Sequence, residues 1–113
     1  IPPIYFERKS IPDLFKTLGT SDYTRFKKEI IRSKESNVEL IIIIEGTISD
    51  ILNGYAYSTI DGIRILRTLL TLWYKYKIVS IYCKDRKEAS IFISEFYLAY
   101  ARCREKLEKI FSI

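Results

Sequence analysis

A run of five aliphatic residues, Leu40 to Ile44, constrains the fold of this chain more than any other feature. The run is far shorter than the ~20 apolar residues that cross a bilayer, and it has the length of a β-strand. Side chains alternate between the two faces of a strand, so a strand that is apolar on both faces must be covered on both sides. The sequence therefore predicts a central strand in a sheet with helices above and below it.

The remaining pattern is typical of a single α/β domain. The chain has 113 residues, of which 48% are hydrophobic, which is enough to bury one core. Strands are predicted over residues 4–9, 38–45 and 78–83, and helices over residues 10–18, 22–35, 47–53, 58–76 and 85–110. Ser10, Asp22 and Ser58 are the expected N-caps of the first, second and fourth helices. The fourth helix should bury one stripe, formed by Ile60, Ile63, Leu66, Leu70 and Trp73.

Three absences exclude most catalytic chemistry. The chain has no histidine, which excludes Ser-His-Asp and Cys-His relays and histidine-ligated zinc. Cys83 and Cys103 are its only cysteines, too few for a four-cysteine zinc site or a disulfide framework, and they fit a reducing interior. The four glycines stand apart, so no glycine-rich phosphate loop is present. Carboxylates that hold a metal are then the leading hydrolytic chemistry, with Ser, Tyr or Lys behind them.

The charge balance indicates a polyanionic partner. The net charge is +5, which favours nucleic acid first and an anionic membrane surface second. An ordinary solvated surface would explain the same charge.

Glu7 and Lys9 lie two residues apart in the first predicted strand, so both should point to the same face, while Arg8 points to the other. A carboxylate can ligate a hard cation such as Mg²⁺, and a neighbouring lysine can orient water and offset charge on a phosphate. The pair is half of a phosphodiester-cleaving site, because a second carboxylate from another strand is needed. A solvated ion pair on an edge strand is the alternative.

The surrounding residues form a longer motif. Glu7-Arg8-Lys9 is followed at the strand-to-helix junction by Asp13, in the pattern E-R-K-x(3)-D. This resembles the second half of the motif G-D-x(n)-E-R-K-x(3)-D of the XPF-type structure-specific endonucleases. The resemblance continues over nearly the whole chain, through Leu14-Phe15, Arg25-Phe26 and the central strand that ends in Glu45-Gly46.

The resemblance implies a restriction-endonuclease-like fold with a small mixed sheet, dependence on Mg²⁺ or Mn²⁺, and incision of branched or flapped DNA. Glu7 would match the metal-binding glutamate of the family and Lys9 its catalytic lysine, and Arg8 and Asp13 match positions that members need for activity. Since Arg8 faces away from the metal, we expect it to pair with a carboxylate, of which that of Asp13 is nearest in sequence. Asp13 also fits a capping box with Ser10.

The sequence leaves two points open, the role of Glu45 and the extent of the domain. Glu45, at the end of the central strand, is either a partner that supports the site or a polar strand terminus. The aspartates of the preceding family strands have no counterpart, because only six residues precede Glu7, and no helix-hairpin-helix module follows Ile113. We therefore expect one nuclease domain over residues 1–113 that is trimmed at its N-terminus.

The second helix predicts contact with DNA, and the last helix predicts association with a second subunit. Arg25, Lys28 and Arg32 recur at spacings of three and four, which predicts a basic stripe that contacts phosphates without reading sequence; a solvated helix face is the alternative. The last helix is apolar over more than one face, which favours a homodimer or heterodimer over a helix that is all core. The apolar residues of that helix are Phe92, Ile93, Phe96, Tyr97, Tyr100, Cys103 and Leu107.

Two functions compete. The first is a metal-dependent endonuclease of DNA repair or recombination, inside the cell and in the nucleus if the source is eukaryotic. The second is a non-catalytic DNA-binding or scaffold subunit that pairs with an active nuclease of the same family. The presence of all four motif residues, Glu7, Arg8, Lys9 and Asp13, favours the first function.

Overall fold

The computed structural model describes residues 3–111, and the side chains of residues 3–107. Its three strands form one sheet in the order β1-β2-β3. In chain order the elements are β1 (Ile4–Ser10), α1 (Ile11–Gly19), α2 (Asp22–Glu35), β2 (Glu39–Glu45), α3 (Ile48–Asn53), α4 (Gly62–Tyr76), β3 (Val79–Cys83) and α5 (Arg86–Phe111). No helix within residues 3–111 combines the length and the apolar character that a membrane crossing requires.

The aliphatic run occupies the centre of the sheet, as predicted. All five residues from Leu40 to Ile44 are buried, and β2 pairs with β1 on one side and β3 on the other. Both pairings are parallel, so over the described residues the sheet is parallel where a mixed sheet was expected. The reason is that helices separate each strand from the next, and such a crossover returns the chain to its starting edge.

Helices cover both faces of the sheet, and each face has its own core. On one face, Ile42 and Ile44 pack with buried residues of α1, α2, α3 and α4, among them Phe15 and Leu69. On the other face, Ile41 and Ile43 pack against α5 through side chains such as Ala89, Phe92 and Phe96. Neighbouring residues of β1 therefore face different helices.

Local capping explains where the helices begin. Ser10 caps α1 as predicted, because its hydroxyl accepts from the Asp13 N–H. The cap predicted at Asp22 is wrong: Ser21 is the N-cap of α2, and Asp22 donates its own N–H to the Thr20 hydroxyl. The start predicted at Ser58 is also wrong. Ser58 accepts from Ile60 in a turn, and α4 begins at Gly62 with Asp61 as its cap.

The face that α4 buries differs from the predicted stripe. Ile65, Leu69 and Leu72 are buried, whereas Ile63, Leu70 and Trp73 are exposed. The helix carries apolar residues on two faces, and packing against the sheet, α1 and α3 selects one of them. Close approach to α3 depends on Gly62, since a Cβ there would collide with the carbonyl oxygen of Ile51.

Candidate active site

Glu7 and Lys9 lie together on the face of β1 that α2 covers. The Glu7 Oε1 and Lys9 Nζ atoms are 3.4 Å apart, and the two side chains are 30% and 18% exposed. The ammonium group also lies 5.9 Å from the centroid of the Phe26 ring of α2. The alternation of side chains along a strand thus produces the predicted pair, and an aromatic ring of α2 limits where the lysine can go.

Two neighbouring cavities open beside this pair. A groove of about 330 Å³ has Glu7, Phe26, Glu29 and Arg32 among its lining residues. A smaller, more polar pocket of about 90 Å³ is lined by Lys9, Thr17, Asp22, Arg25, Phe26 and Glu29. Phe26 and Glu29 border both cavities, so α2 forms a wall that the two spaces share.

Glu29 is the residue that sequence reasoning missed at this site. It lies four residues after Arg25 and three before Arg32, so it shares a face of α2 with two cations of the basic stripe. That spacing was the available signal, but a single acid within a basic stripe looks like a solvated residue. Only the packing of α2 against β1 places Glu29 next to the cavities of Glu7 and Lys9.

Arg8 lies on the opposite face of β1, and its partner was predicted incorrectly. Its Nη2 atom lies 3.4 Å from Oε2 of Glu45, whereas Asp13 was the expected partner. The register places Ser10 of β1 beside Glu45 of β2, which brings the face-sharing Arg8 within reach of that carboxylate. The ion pair therefore joins the carboxyl ends of two neighbouring strands behind the Glu7–Lys9 pair.

The thiol of Cys83 lies next to this ion pair and has low reactivity. Cys83 is opposite Glu45 in the register and is buried. Burial raises the pKa of the Cys83 thiol, and the nearby carboxylates of Glu88, Asp85 and Glu45 raise it further. The thiol thus stays protonated at neutral pH, which makes it a poor nucleophile.

Asp13 is separate from the Glu7–Lys9 pair. It lies exposed in the first turn of α1, where its N–H donates to the Ser10 hydroxyl over 3.3 Å, and where its charge suits the helix N-terminus. It also borders a different cavity, between α1 and the segment that precedes α4. The cap with Ser10 is therefore the observed role of this residue.

The carboxylate of Glu7 is a donor of the kind that hard divalent cations prefer, and it would be one ligand of such an ion. Among the side chains that the structure describes, no group of three or more Asp, Glu, His or Cys could enclose a metal. Mg²⁺ often binds through one or two carboxylates and completes its shell with water and substrate phosphate. Glu7 and Glu29 line the same groove, and both carry carboxylates of the kind that Mg²⁺ binds.

Two of the three residues of the basic stripe of α2 line the same cavities, whereas Lys28 borders a separate one. Arg25, Lys28 and Arg32 are all exposed, while Phe26 and Ile30 on the other side of the helix are buried. Arg25 lines the pocket of Lys9, and Arg32 lines the groove of Glu7. Arg25 also lies 3.6 Å from Asp22 in a mostly exposed ion pair.

We expect the Arg8–Glu45 pair to contribute a small but measurable free energy of unfolding. In a double-mutant cycle with Arg8→Ala and Glu45→Ala, the coupling energy should be about 0.2–1 kcal/mol, because water screens a partly exposed pair. Urea unfolding of the four proteins measures it. The matched cycle of Arg8→Ala with Asp13→Ala should show no coupling, and a larger coupling there would contradict the observed pairing.

Comparisons with known proteins agree with this fold. The sequence matches the family described as the ERCC4 domain over residues 1–96. Among solved structures, the fold is similar to that of XPF from Aeropyrum pernix, with a TM-score of 0.71 and 19% sequence identity. That match covers 96% of this chain and 51% of the XPF chain, so this chain spans about half the length of that protein. No curated protein sequence matches the chain. The predicted resemblance to the XPF family and the predicted α/β fold are confirmed.

Proposed function

The chain belongs to the ERCC4 domain family, and on that premise we propose that it forms the nuclease domain of a metal-dependent, structure-specific DNA endonuclease. Its substrate is branched or flapped duplex DNA, which it cuts near a junction with single strands during repair or recombination. The observation that carries the proposal is the Glu7–Lys9 pair, which faces two cavities bordered by cations of α2.

Each residue of the pair has a distinct task. Glu7 would hold a divalent cation, which would supply Lewis-acid polarisation of the scissile phosphate. Lys9 brings a positive charge to the same face, where it offsets the charge that grows on the phosphate as the bond breaks. The Lys9 ammonium group lies near both the Phe26 ring and the Glu7 carboxylate, so its charge is already on the face where the phosphate would bind.

In this proposal the other predicted site residues support the structure or bind DNA and do not take part in the chemical step. Arg8 contacts Glu45 behind the strand and keeps β1 aligned with β2. Asp13 supports the N-terminus of α1 directly after the strand. Arg25, Lys28 and Arg32 bind phosphates of the duplex on either side of the scissile bond.

Metal removal tests the proposal directly. The protein is incubated with a flapped duplex and with a plain duplex, in Mg²⁺, in Mn²⁺ and in EDTA. Cutting within a few nucleotides of the junction, restored when metal replaces EDTA, is the expected result. Tight binding of the flap without cutting in any metal would instead favour the non-catalytic subunit, and equal cutting in EDTA would reject metal dependence.

The basic stripe should account for part of the salt dependence of DNA binding. Changing Arg25, Lys28 and Arg32 to Gln removes up to three phosphate contacts, so the slope of log K against log salt should flatten by about 2–3. Fluorescence anisotropy of a labelled duplex measures the slope. The matched control changes Lys84, Arg86 and Lys87 to Gln at the start of α5; an equal flattening there would mean that only net charge matters.

A second subunit, either a copy of this chain or a related one, binds along α5 in this proposal. One side of α5 packs on the sheet through Phe92, Ile93 and Phe96. Ile91, Leu98 and Leu107 remain exposed on the same helix, and a soluble protein rarely leaves a large apolar patch in contact with water.

A further inference from the structure

We propose that the end of α4 binds single-stranded DNA through a stacking platform, which we define as Trp73, Tyr74, Lys75 and Lys77. This inference rests on the proposed function, because it assigns a binding place to the single-stranded arm of the same branched substrate. The platform lies away from Glu7 and Lys9 and uses none of the motif residues.

Exposure of two neighbouring aromatic rings is the first observation. Trp73 is 52% exposed and Tyr74 is 84% exposed, although the helix buries other large side chains completely. The exposed surface of these rings does not contribute the stabilising free energy that its burial would provide. Every DNA base has a π-face that can stack on such a ring, whatever the sequence, and single-strand binding proteins use aromatic residues in this way.

The charges around the rings are the second observation. Lys77 Nζ lies 5.6 Å from the centroid of the Tyr74 ring, and it donates a hydrogen bond to the Tyr74 carbonyl oxygen. Lys75 Nζ lies 5.4 Å from the ring of Tyr76. The helix over Gly62–Tyr76 contains no Asp or Glu. A phosphate that follows a base stacked on Tyr74 would therefore meet the Lys77 ammonium group without a competing carboxylate on this helix.

A cleft of about 220 Å³ extends the platform towards α2. It is lined by Lys77 together with Lys34, Asn37, Val38 and Glu39. Glu39 is the one acid among these lining residues, so the two lysines leave the cleft with a net positive charge. Lys34 belongs to the last turn of α2, the helix that carries the basic stripe.

The position of the platform suits a substrate that also reaches β1. Val79 follows Lys77 by two residues, and the register places Val79 beside Ile41 and Ile41 beside Phe6. The start of β3 is therefore two inter-strand spacings, about 10 Å, from the strand that carries Glu7. Since α2 and α4 cover the same face of the sheet, one DNA molecule can contact both without crossing the sheet.

Two other occupants are less consistent with these charges. A second copy of the chain related by a two-fold axis through the platform would bring Lys77 close to its own counterpart, which is unfavourable. An acidic amphipathic helix would match the charge, but it would use the exposed aliphatic residues Ile63 and Leu70 rather than the aromatic end of the helix. Both occupants are outcomes that the following experiment separates.

Trp73 is the only tryptophan of the chain, so its emission reports on the platform alone. The intact chain is titrated without metal with an oligodeoxythymidylate of about twelve nucleotides, within the site sizes of single-strand binding folds. We expect saturable quenching of the emission, and binding at least about fivefold weaker in Tyr74→Ala, because one stacked base is lost. Tyr74→Phe should bind like the parent. Tyr57→Ala is the matched control, since Tyr57 is 94% exposed but lies outside the platform.

Several results would overturn the platform. The first is anisotropy showing that the oligonucleotide binds while the emission of Trp73 stays unchanged. The second is an equal loss of affinity in Tyr57→Ala, and the third is quenching by an acidic amphipathic peptide, or by raising the protein concentration, but not by the oligonucleotide. Because the assay contains no metal, it is independent of cutting. Quenching without flap cutting would leave the platform standing and reject the nuclease, and flap cutting without quenching would do the reverse.

Discussion

Replacing Glu7 with Gln, or Lys9 with Ala, should lower the rate of flap cutting by about 10²–10³-fold. The amide of Gln is a much weaker ligand for a divalent cation than a carboxylate, and alanine removes the charge that stabilises the phosphate. Both losses affect the reacting group rather than the packing, since the two side chains are only partly buried. Single-turnover cutting of a labelled flap in Mg²⁺ measures the effect.

Matched variants separate this effect from a general change in charge. Glu35→Gln and Lys87→Ala alter the same charges at exposed positions outside the site, and they should cut at the parental rate. Binding of the flap, measured by anisotropy, should change little in Glu7→Gln. Cutting by Glu7→Gln at the parental rate would remove this carboxylate from the reaction, and loss of cutting together with loss of folded structure would show a structural role instead.

Leu69 and Leu70 are neighbours in α4, but their replacement by Ala should have very different effects on stability. Leu69 is 1% exposed and Leu70 is 49% exposed. Leu69→Ala should reduce the free energy of unfolding by about 3–5 kcal/mol, because it leaves a cavity between α4 and the sheet. Leu70→Ala should change it by only about 0.5 kcal/mol. Urea unfolding followed by circular dichroism measures both.

This pair also tests which face of α4 is buried. The two variants remove the same atoms from adjacent positions, so helix propensity and composition are matched. Equal destabilisation would mean that both faces of the helix are covered in solution. A larger effect at Leu70 would contradict the observed packing and would restore the stripe expected from sequence.

Local sequence was sufficient for the central strand and for the Glu7–Lys9 pair. An aliphatic run that is apolar on both faces has few places in a sheet, and the alternation of side chains fixes which residues share a face. Both inferences use only neighbouring residues, and neither needs the register between strands. The shared face of Glu7 and Lys9 could therefore be predicted without knowing which distant residues contact them.

The errors came from contacts between distant segments. Glu45 is 37 residues from Arg8, and only the register of β1 against β2 brings them together. For α4, apolar residues recur on two faces, so periodicity alone cannot decide which face packs on the sheet. The partner helices decide it, through contacts such as that of Gly62 with α3, which have no signature in the sequence of α4 itself.

The three motif residues of β1 point alternately to opposite sides of the sheet, and this makes the strand intolerant of slippage. A shift of one residue would turn Glu7 and Lys9 towards α5 and would present Arg8 and Phe6 to α2 instead. The acid and the amine would then be lost from the α2 side of the sheet in a single event. A single-residue insertion early in β1 would thus exchange the chemistry of two surfaces, whereas an insertion in the segment before α4 would leave it intact.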